Sequence, residues 1–258
     1  MKQQLHIVKV GGHLVNDADA LKEVLSAFAK IDAPKILVHG GGRHATALAT
    51  QLGISPKMID GRRITDEAML EVAVMSYAGL SNKKIVAQLQ HLGVNAVGLS
   101  GADGSCIEAV KRPVKEIDYG FVGDIVNANA AVFTSLTAQD FVPVLCAITH
   151  DKQGQLFNTN ADTIAAQVAI ALSTTYQVSL FYCFEHAGVL RDIANPADVI
   201  PLLNTTQTET FIKDGIIHQG MVPKLHNGFD ALKNGVNEVI ISNINALTNA
   251  NAPKTTLQ

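Results

Sequence analysis

The sequence has few cysteines, little net charge and no long apolar segment. Its three cysteines, Cys106, Cys146 and Cys183, are far apart and lie in or near apolar runs, so we expect buried thiols in a reducing compartment rather than a disulfide framework or a zinc site. The formal net charge of −3 is spread along the chain and does not favour nucleic acid as a partner. No apolar stretch is long enough to span a membrane, and no signal-peptide pattern precedes the first strand-like run. These absences predict a soluble, cytoplasmic protein without a membrane partner.

Short apolar runs with little polar alternation recur along the 258 residues, of which 47% are apolar and 17% charged. This pattern is typical of a globular protein whose strands are covered on both faces. The predicted strands are residues 5–10, 35–40, 95–100, 141–148, 177–184 and 238–242. Helices are predicted at 65–93, which Gly79 to Asn82 could interrupt, at 160–173 and at 221–234, with a hairpin within 102–130 and a loosely held tail at 249–258. The alternation favours an α/β fold with a mostly parallel sheet, helices on both faces and ligands beyond the carboxyl ends of the strands.

Two glycine-rich turns follow predicted strands, "KVGGHL" at 9–14 and "VHGGGRHA" at 38–45. Glycines at a strand-to-helix turn let backbone N–H groups approach an anion closely, and Lys9 adds a point charge beside Gly11 and Gly12. The phosphate-loop pattern G-x-x-x-x-G-K-[ST] is absent from the chain. The alternative is that the glycines serve only strand–helix packing, which is less favoured for two turns than for one.

The second turn also fits a loose dinucleotide fingerprint through Gly40, Gly42 and Ala45. An NAD-dependent oxidoreductase should carry that fingerprint after its first strand and end its second strand on an acidic residue about twenty positions later. Here the triple glycine follows the second strand, and Asp60 lies in the polar, turn-like stretch "KMIDGRRITD". The oxidoreductase therefore remains only the alternative from another class.

Three further polar stretches carry candidate functional residues. They are Asn158, Asn160 and Asp162 in "FNTNADTIAAQVA", Arg62 and Arg63 in "DGRRITD", and Lys224 in "GIIHQGMVPKLHNG". Each has a plain alternative explanation when taken singly, as a helix cap, a solvated charge or a surface lysine.

Taken in order, these stretches closely resemble the acetylglutamate kinases of the amino-acid kinase family. The matching run is K-x-G-G, V-H-G-G-G, D-G-x-R-[IV]-T-D, G-x-x-N-K, G-L-x-G-x-D, Y-G-F-V-G-D, N-x-N-A-D-T and G-M-x-P-K, and it extends over positions 9 to 224. The resemblance implies an open three-layer αβα sandwich around a largely parallel, roughly eight-stranded sheet. It implies an acyl-amino-acid lobe over about 1–175 and a nucleotide lobe over about 176–258 of a single domain.

The resemblance further implies transfer of the γ-phosphoryl group of ATP to the side-chain carboxylate of N-acetyl-L-glutamate, an early step of arginine synthesis. The acceptor carboxylate is already ionised at neutral pH, so the reaction needs no general base. Lys9 and Lys224 would bracket the transferred group, and Asp162 would hold both ammonium groups. Magnesium would arrive with ATP, and no residue is assigned as a metal ligand.

The remaining matches concern binding. Backbone N–H groups of Gly11 and Gly12 would support phosphoryl oxygens, and those of Gly41 and Gly42 the reacting carboxylate. Arg63 would bind the α-carboxylate of the substrate, and Asn158 its acyl-amino group. Glu185 and Gly188 would lie on the nucleotide side.

The chain also departs from the family pattern at several positions. "FEHAGV" at 184–189 stands where the family usually has "TDVxGV", Gln219 takes the first glycine position of G-G-M-x-P-K, and the C-terminal G-T-x-[IL] is not clear. Arg62 occupies a commonly apolar position. It either lies in solvent or meets a second carboxylate at the end of the acyl pocket, as in N-succinyl-L-glutamate.

Other members of the family that phosphorylate a carboxylate or carbamate, and a non-catalytic relative, are further alternatives, which "DGRRITD", "NTNAD" and both lysines disfavour. Arginine-inhibited members carry an extra N-terminal helix that joins dimers into a hexamer. The first predicted strand begins at Leu5, too early for such a helix, so we expect a homodimer insensitive to arginine.

Overall fold

The computed structural model describes residues 2–59, 62–217 and 220–258. The strands are β1 Gln4–Val10, β2 Lys35–His39, β3 Met58–Ile59, β4 Arg62–Arg63, β5 Ala96–Leu99, β6 Ile107–Lys111, β7 Gly123–Ala128, β8 Val142–Leu145, β9 Ile148–His150, β10 Leu156–Asn158, β11 Gln177–Cys183, β12 Leu202–Leu203, β13 Glu238–Ser242 and β14 Thr255–Leu257. The α-helices are α1 Gly12–Asn16, α2 Ala18–Ala29, α3 Gly42–Gln51, α4 Glu67–Val74, α5 Asn82–His91, α6 Ala130–Thr137, α7 Ala161–Leu172, α8 Thr205–Lys213, α9 Val222–Lys233 and α10 Asn245–Thr248. None of the helices in the described ranges is long and apolar enough to cross a membrane.

One eight-stranded sheet forms the centre of the protein, in the order β12-β14-β13-β11-β1-β2-β8-β5. All neighbouring strands in it are parallel except β13 and β14, which pair antiparallel. The six predicted apolar runs supply β1, β2, β5, β8, β11 and β13. Helices cover both faces and bury a separate apolar cluster on each. The predicted three-layer αβα fold is therefore confirmed.

The alternation of side chains along β1 directs its only lysine to one particular face. Leu5 and Ile7 belong to the apolar cluster on the face covered by α7, whereas Val8 and Val10 belong to the opposite cluster. Successive residues of a strand point to opposite faces, so Lys9 shares the face of Leu5 and Ile7. The sequence thus delivers a single ammonium group to the end of β1, beneath α7.

A second, smaller sheet lies near the carboxyl ends of β5 and β8, in the order β10-β9-β6-β7. The predicted hairpin within 102–130 is confirmed as the antiparallel pair β6 and β7. The predicted single strand at 141–148 is wrong, because this run leaves the main sheet after Leu145 and resumes in the smaller sheet at Ile148. Gly101 marks the junction, where its N–H donates to the carbonyl of Ile148 at 2.7 Å.

The long helix predicted at 65–93 is observed without a break. A π-helical segment, Met75–Ser81, joins α4 to α5, and the N–H of Asn82 donates to the carbonyl of Tyr77, five residues back. The helix packs its α4 part into one apolar cluster and its α5 part into the other. It ends before Gly93, whose φ of +78° only glycine adopts readily.

The C-terminal tail is held more firmly than its polar composition predicts. Residues Thr255–Leu257 form β14, between β12 and β13. Thr255 Oγ1 donates to the carbonyl of Ile200 at 2.6 Å, and Leu257 is buried. A three-residue strand carries no periodicity that a sequence pattern could reveal, so the expectation of a loose tail was wrong.

The three cysteines are free and buried, as predicted. Burial raises the pKa of each of the three thiols, Cys106, Cys146 and Cys183, to about 12. They are therefore protonated and unreactive at neutral pH.

Candidate active site

Both glycine turns lie side by side because β1 and β2 are parallel neighbours in the main sheet. The first turn begins at Gly11, whose N–H donates to the carbonyl of Cys183 at 2.9 Å at the end of β11. The second runs from Gly40 to Gly42, where α3 begins. The carboxyl ends of β1, β2 and β11 therefore meet at one edge of the sheet, where ligands bind in folds of this kind.

Two lysines from opposite ends of the chain share one carboxylate at this edge. Lys9 Nζ lies 2.8 Å and Lys224 Nζ lies 2.9 Å from the same oxygen, Oδ1 of Asp162. All three residues are buried, with exposed fractions of 8%, 7% and 9% in that order. Two positive charges and one negative charge leave the cluster with one unbalanced positive charge, as a site for an anion requires.

The ionisation of this cluster follows from burial and from mutual attraction. Burial raises the pKa of Asp162, but the ammonium groups of Lys224 and Lys9 lower it by more, so the pKa stays well below its ordinary value. Burial lowers the pKa of Lys224, and the Asp162 carboxylate offsets part of that effect. The aspartate therefore favours the charged form of the buried lysine.

Two residues fix the position of Asp162 at the start of α7. Asn160 caps the helix, since its Oδ1 accepts from the N–H of Asp162 at 2.7 Å and from that of Thr163 at 3.2 Å. Tyr182 donates its hydroxyl to the carbonyl of Asp162 at 3.2 Å, and its ring centroid lies 5.0 Å from Lys224 Nζ. Tyr182 is paired in register with Lys9. Tyr182 was not predicted as a site residue, because in the sequence it resembles one more buried position of the apolar strand β11.

The glycines of the two turns differ in what surrounds them. A Cβ on Gly41 would lie 2.6 Å from Cδ1 of Tyr77, so this position needs glycine for packing. A Cβ on Gly12 would meet no described protein atom within 4 Å. The open space at Gly12 leaves its backbone accessible to a ligand, whereas the packing explanation suffices for Gly41.

A buried histidine supports the second glycine turn. His39 Nδ1 lies 2.8 Å from the carbonyl oxygen of Gly40, and its Nε2 lies 3.1 Å from Nδ2 of Asn82. The same Asn82 nitrogen donates to the carbonyl of Val144 at 2.9 Å. Since the carbonyl of Gly40 can only accept and the amide donates, His39 is neutral with its proton on Nδ1. Burial lowers the pKa of His39 to about 4.

A cleft of about 410 Å³ opens beside the second turn. Of the predicted substrate-binding residues, it is lined by Gly41, Gly42, Arg63 and Asn158. The phosphate-side residues Lys9, Asp162, Lys224, Gly11 and Gly12 do not line it, although Ala161 and Pro223, next to two of them in the chain, do. The cleft and the charged cluster are therefore adjacent parts of one site.

Arg63 is buried in the wall of this cleft by contacts to the second turn. Its Nη2 donates to the carbonyl of Gly42 at 2.9 Å and to Oγ1 of Thr46 at 2.8 Å, and its Nη1 lies 3.8 Å from Sδ of Met69. These contacts hold the guanidinium against the second turn, beside the side chain of Tyr77, which also lines the cleft. Arg63 is therefore fixed in place before any substrate arrives.

Asn158 lies opposite, at the end of β10. Its side-chain nitrogen donates to Oγ1 of Thr65 at 3.0 Å, and its backbone N–H donates to the carbonyl of Phe121 at 2.9 Å. Thr65 in turn pairs with the segment at Gly120. The side-chain oxygen of Asn158 has no hydrogen-bond partner within the described ranges and can accept from an amide N–H in the cleft.

The predicted nucleotide-side residues lie outside the cleft. Glu185 is exposed, and its charge raises the pKa of Lys224 as the smallest of several influences. Gly188 has a φ of +157°, and a Cβ there would lie 2.6 Å from Cγ1 of Val199. Packing explains the glycine at 188, so a role for it in nucleotide binding stays a prediction.

The sequence analysis missed several residues that line the cleft. Arg62, which was considered from the sequence, is exposed and lines the cleft. The residues that were not predicted include Met58, Tyr77, Arg112, Tyr119, Val122, His226 and Asn227. Arg112, Tyr119 and Val122 lie in the connection between β6 and β7 of the smaller sheet. For these three residues, the turn-rich motifs within 102–130 were the available signal, and they indicated only a hairpin.

Three positions discussed from the sequence lie outside the described residues. They are Asp60, which opposed the dinucleotide interpretation, Gly61 of the same motif, and Gln219, which departs from the family pattern. Within the described ranges, no group of histidine, cysteine, aspartate or glutamate side chains could hold a metal ion. Asp162, the carboxylate nearest the charged edge, is already engaged by two ammonium groups.

Comparison with known proteins gives matches over nearly the whole chain. Residues 4–243 match the model of the amino acid kinase family. The chain is 51% identical over 247 residues to an acetylglutamate kinase from Bacteroides fragilis, and the aligned region covers 96% of this chain and 95% of that protein. It is 46% identical over 246 residues to the acetylglutamate kinase of Cytophaga hutchinsonii, and the aligned region covers 95% of this chain and 93% of that protein.

Among solved structures, smu.665 from Streptococcus mutans UA159 superposes with a TM-score of 0.82 at 23% identity, with 98% of each chain covered. At that identity the likeness shows the fold alone. The relatives do not favour the oxidoreductase alternative, and the matched segment contains both glycine turns, Asp162 and Lys224. The chain therefore belongs to the amino acid kinase family.

Proposed function

We propose that this protein is the kinase that phosphorylates the side-chain carboxylate of N-acetyl-L-glutamate, forming N-acetyl-L-glutamyl 5-phosphate and ADP in arginine biosynthesis. Relatives at 46–51% identity over nearly the whole chain are named acetylglutamate kinases. The observation in the structure that supports the proposal best is the buried cluster of Lys9, Asp162 and Lys224 beside a cleft that holds Arg63. Such an arrangement suits two anionic substrates that must meet.

The chemical difficulty of this reaction is repulsion between a carboxylate nucleophile and a triphosphate. Lys9 and Lys224 bring two buried ammonium groups within 3 Å of a single oxygen of Asp162, so both point into the same small volume. We assign Lys9 to the γ-phosphoryl group and the acceptor, and Lys224 to the oxygen that bridges the β- and γ-phosphates. Charge that develops there in the transition state is stabilised by groups already in position. Asp162 is a positioning residue, since one oxygen of its carboxylate holds both ammonium groups in place.

The acceptor would lie in the cleft. The buried guanidinium of Arg63, which lines the cleft, suits the α-carboxylate, and the side-chain oxygen of Asn158 suits the acyl-amino N–H. The side-chain carboxylate then extends past Gly41 and Gly42 towards Lys9. This orientation brings the nucleophile to the phosphoryl group without a general base, because a carboxylate is ionised at neutral pH.

ATP would approach from the side of the open first turn. Backbone N–H groups of Gly11 and Gly12 would contact phosphoryl oxygens, and Glu185 and Gly188 would lie near the nucleoside. Mg²⁺ would enter as part of the MgATP substrate, held by phosphate oxygens and water, because the described residues offer no carboxylate cluster for it. On this view residues of about 1–175 bind the acyl-amino acid and those of about 176–258 bind the nucleotide.

We also propose that the enzyme works as a homodimer in the cytoplasm, where ATP is available. Met75 and Leu80 on the π-helical segment are 48% and 40% exposed, and such apolar side chains are what a second copy would cover. Sedimentation velocity tests the assembly, and a monomer at micromolar concentration would contradict it.

One assay tests the proposed reaction. ATP, magnesium and N-acetyl-L-glutamate are incubated with the protein, ADP release is followed, and hydroxylamine traps the acyl phosphate as a hydroxamate. We expect equal amounts of ADP and hydroxamate, with neither forming from unacylated L-glutamate and both forming about 10²–10³-fold more slowly with Lys224→Ala. Release of ADP without hydroxamate would contradict phosphoryl transfer to a carboxylate.

A further inference from the structure

The cleft holds two more arginines than one α-carboxylate needs. Arg62 and Arg112 line it together with Arg63. The exposure of Arg62 follows from the alternation of side chains along the two-residue strand β4. Arg63 turns into the buried wall, and Arg62 turns to the exposed side. Arg112 directly follows β6, in the connection to β7. The cleft is thus lined by three guanidinium groups from two separate parts of the chain.

The position of Arg112 relates it to the end of the substrate that carries the acyl group. Its backbone N–H donates to the carbonyl of Val122 at 2.8 Å, and Val122 forms a β-bridge with Asn158. Its guanidinium carbon lies 5.7 Å from the ring centroid of Tyr119, which also lines the cleft. Arg112, Tyr119 and Val122 are thus held next to Asn158 and line the same cleft, where a group attached to an amide nitrogen bound at Asn158 would be within their neighbourhood.

The charges at this end of the cleft do not cancel. Arg112 donates through Nε and Nη2 to Oδ1 of Asp124, at 3.0 and 2.6 Å, so that pair is neutral overall. Arg62 forms no ion pair with any carboxylate in the described ranges. Among the residues that the structure describes, one positive charge therefore remains unbalanced beside apolar surface from Met58 and Val122. The methyl group of an acetyl substituent makes no use of that charge.

We propose that Arg62, supported by Arg112, binds a second carboxylate at the far end of the acyl group, so that the preferred acceptor is an N-acyl-L-glutamate with a dicarboxylic acyl chain. N-succinyl-L-glutamate is the simplest member of this class, with two methylenes to lie against Met58 and Val122. The inference rests on the proposed kinase function and refines its acceptor. The phosphorylated carboxylate and the roles of Lys9 and Lys224 stay the same.

The expected preference is modest because Arg62 is exposed. A charge-assisted hydrogen bond to a carboxylate that remains partly in water contributes at the low end of its range, equivalent to about tenfold in kcat/KM. The second carboxylate lies far from the transferred phosphoryl group, so the gain should appear mainly in KM, with similar kcat for both substrates. The preference should also shrink as salt is raised.

Three acceptors separate the effect of charge from that of chain length. They are N-acetyl-L-glutamate, N-succinyl-L-glutamate and the uncharged N-succinamyl-L-glutamate, whose terminal carboxamide has nearly the shape of the carboxylate. We expect the highest kcat/KM for the succinyl compound. Equal or better use of the acetyl or the succinamyl compound would overturn the proposal. Failure of all three acceptors to yield hydroxamate would instead refute the kinase function itself.

Variants then test the two arginines. Arg62→Leu should lower kcat/KM by a larger factor for the succinyl compound than for N-acetyl-L-glutamate, so that most of the succinyl preference is lost, and Arg62→Lys should keep part of the preference. The double variant Arg112→Leu with Asp124→Asn removes the ion pair without leaving a lone carboxylate, and it should lose a smaller part. Arg43→Leu, an exposed arginine that does not line the cleft, is the control and should change nothing.

A purely structural role for either arginine would give a different pattern. Loss of support for the cleft would lower kcat/KM for all acceptors by the same factor, together with the melting temperature, and would overturn the assignment. Retention of the full succinyl preference in Arg62→Leu or in the double variant would overturn the role of that arginine. The comparison of acceptors on the unmodified protein stays decisive even if a variant fails to fold.

Discussion

Replacement of Asp162 by asparagine is the sharpest test of the charged cluster. The substitution keeps the shape of the side chain but removes the one negative charge that Lys9 and Lys224 share at 2.8 and 2.9 Å. Two buried ammonium groups are then left without a counter-charge. Breaking a buried ion pair in this way costs about 3–5 kcal/mol of unfolding free energy, and we expect about 3 because one lysine can release its proton. That loss is a large share of the about 5–15 kcal/mol available to a domain.

The pH dependence of Asp162→Asn follows from the lysine that loses its partner. Burial already lowers the pKa of Lys224, and the Asp162 carboxylate raises it again in part, so the variant should lower that pKa further. A lysine whose folded pKa is lowered binds fewer protons than in the unfolded chain. The unfolding free energy of the variant should therefore rise with pH between neutrality and the ordinary lysine value of about 10.4. Its residual activity should fall over the same range, because catalysis needs the charged ammonium.

Urea unfolding and steady-state turnover at several pH values between 6 and 9 measure both trends. We expect kcat of Asp162→Asn to be about 10²–10³-fold below that of the unmodified enzyme, and its combination with Lys224→Ala to be less than additive. Asp198→Asn removes an exposed carboxylate that lies 3.8 Å from Arg191, and it should change stability by no more than about 0.5 kcal/mol. Stability within that margin for Asp162→Asn, or activity that rises with pH, would refute the reasoning.

Four further variants test other parts of the site. Lys9→Ala and Lys224→Ala should each lower kcat by about 10²–10³-fold with a smaller change in KM, and near-normal turnover in steady-state assays would exclude that lysine as a phosphoryl stabiliser. Because the pKa of His39 is lowered to about 4, the native state should lose about 3 kcal/mol between pH 6.5 and 4, as measured by urea unfolding. His39→Gln should lack that part of the slope, and equal slopes would contradict the assignment. Gly12→Ala should raise KM for ATP without lowering the melting temperature, whereas an unchanged KM would show that no phosphate approaches there.

The sequence predicted the layers of the fold because its buried strands are long enough to show a pattern. β1 and β11 each contribute seven residues with little polar alternation. The two-residue strands β3, β4 and β12 and the three-residue β14 are too short to carry a period, so they were missed. The division of 141–148 between two sheets was missed for a related reason, since an apolar run does not reveal which sheet each half joins.

The candidate site was predictable only where a motif marked it. Lys9 follows from its place before a glycine turn, but nothing in spacing alone relates Asp162 to Lys224, and only the family resemblance joined them. Tyr182 was missed because a tyrosine in an apolar strand looks like core, although its hydroxyl fixes the start of α7. Contacts of this kind depend on parallel register, which a single sequence does not express.

The adjacent arginines show how a local rule can be right and still incomplete. Neighbouring side chains on an extended segment point in opposite directions, and accordingly Arg63 is 8% exposed and holds the second glycine turn, whereas Arg62 is exposed. The same rule left two places open for an outward arginine, the solvent or the far end of the acyl pocket. Arg62 lines the cleft, to which Arg112 and Tyr119 contribute from the connection between β6 and β7. The acyl end of the site is thus formed by tertiary contacts, so its charge could be weighed only once the fold was known.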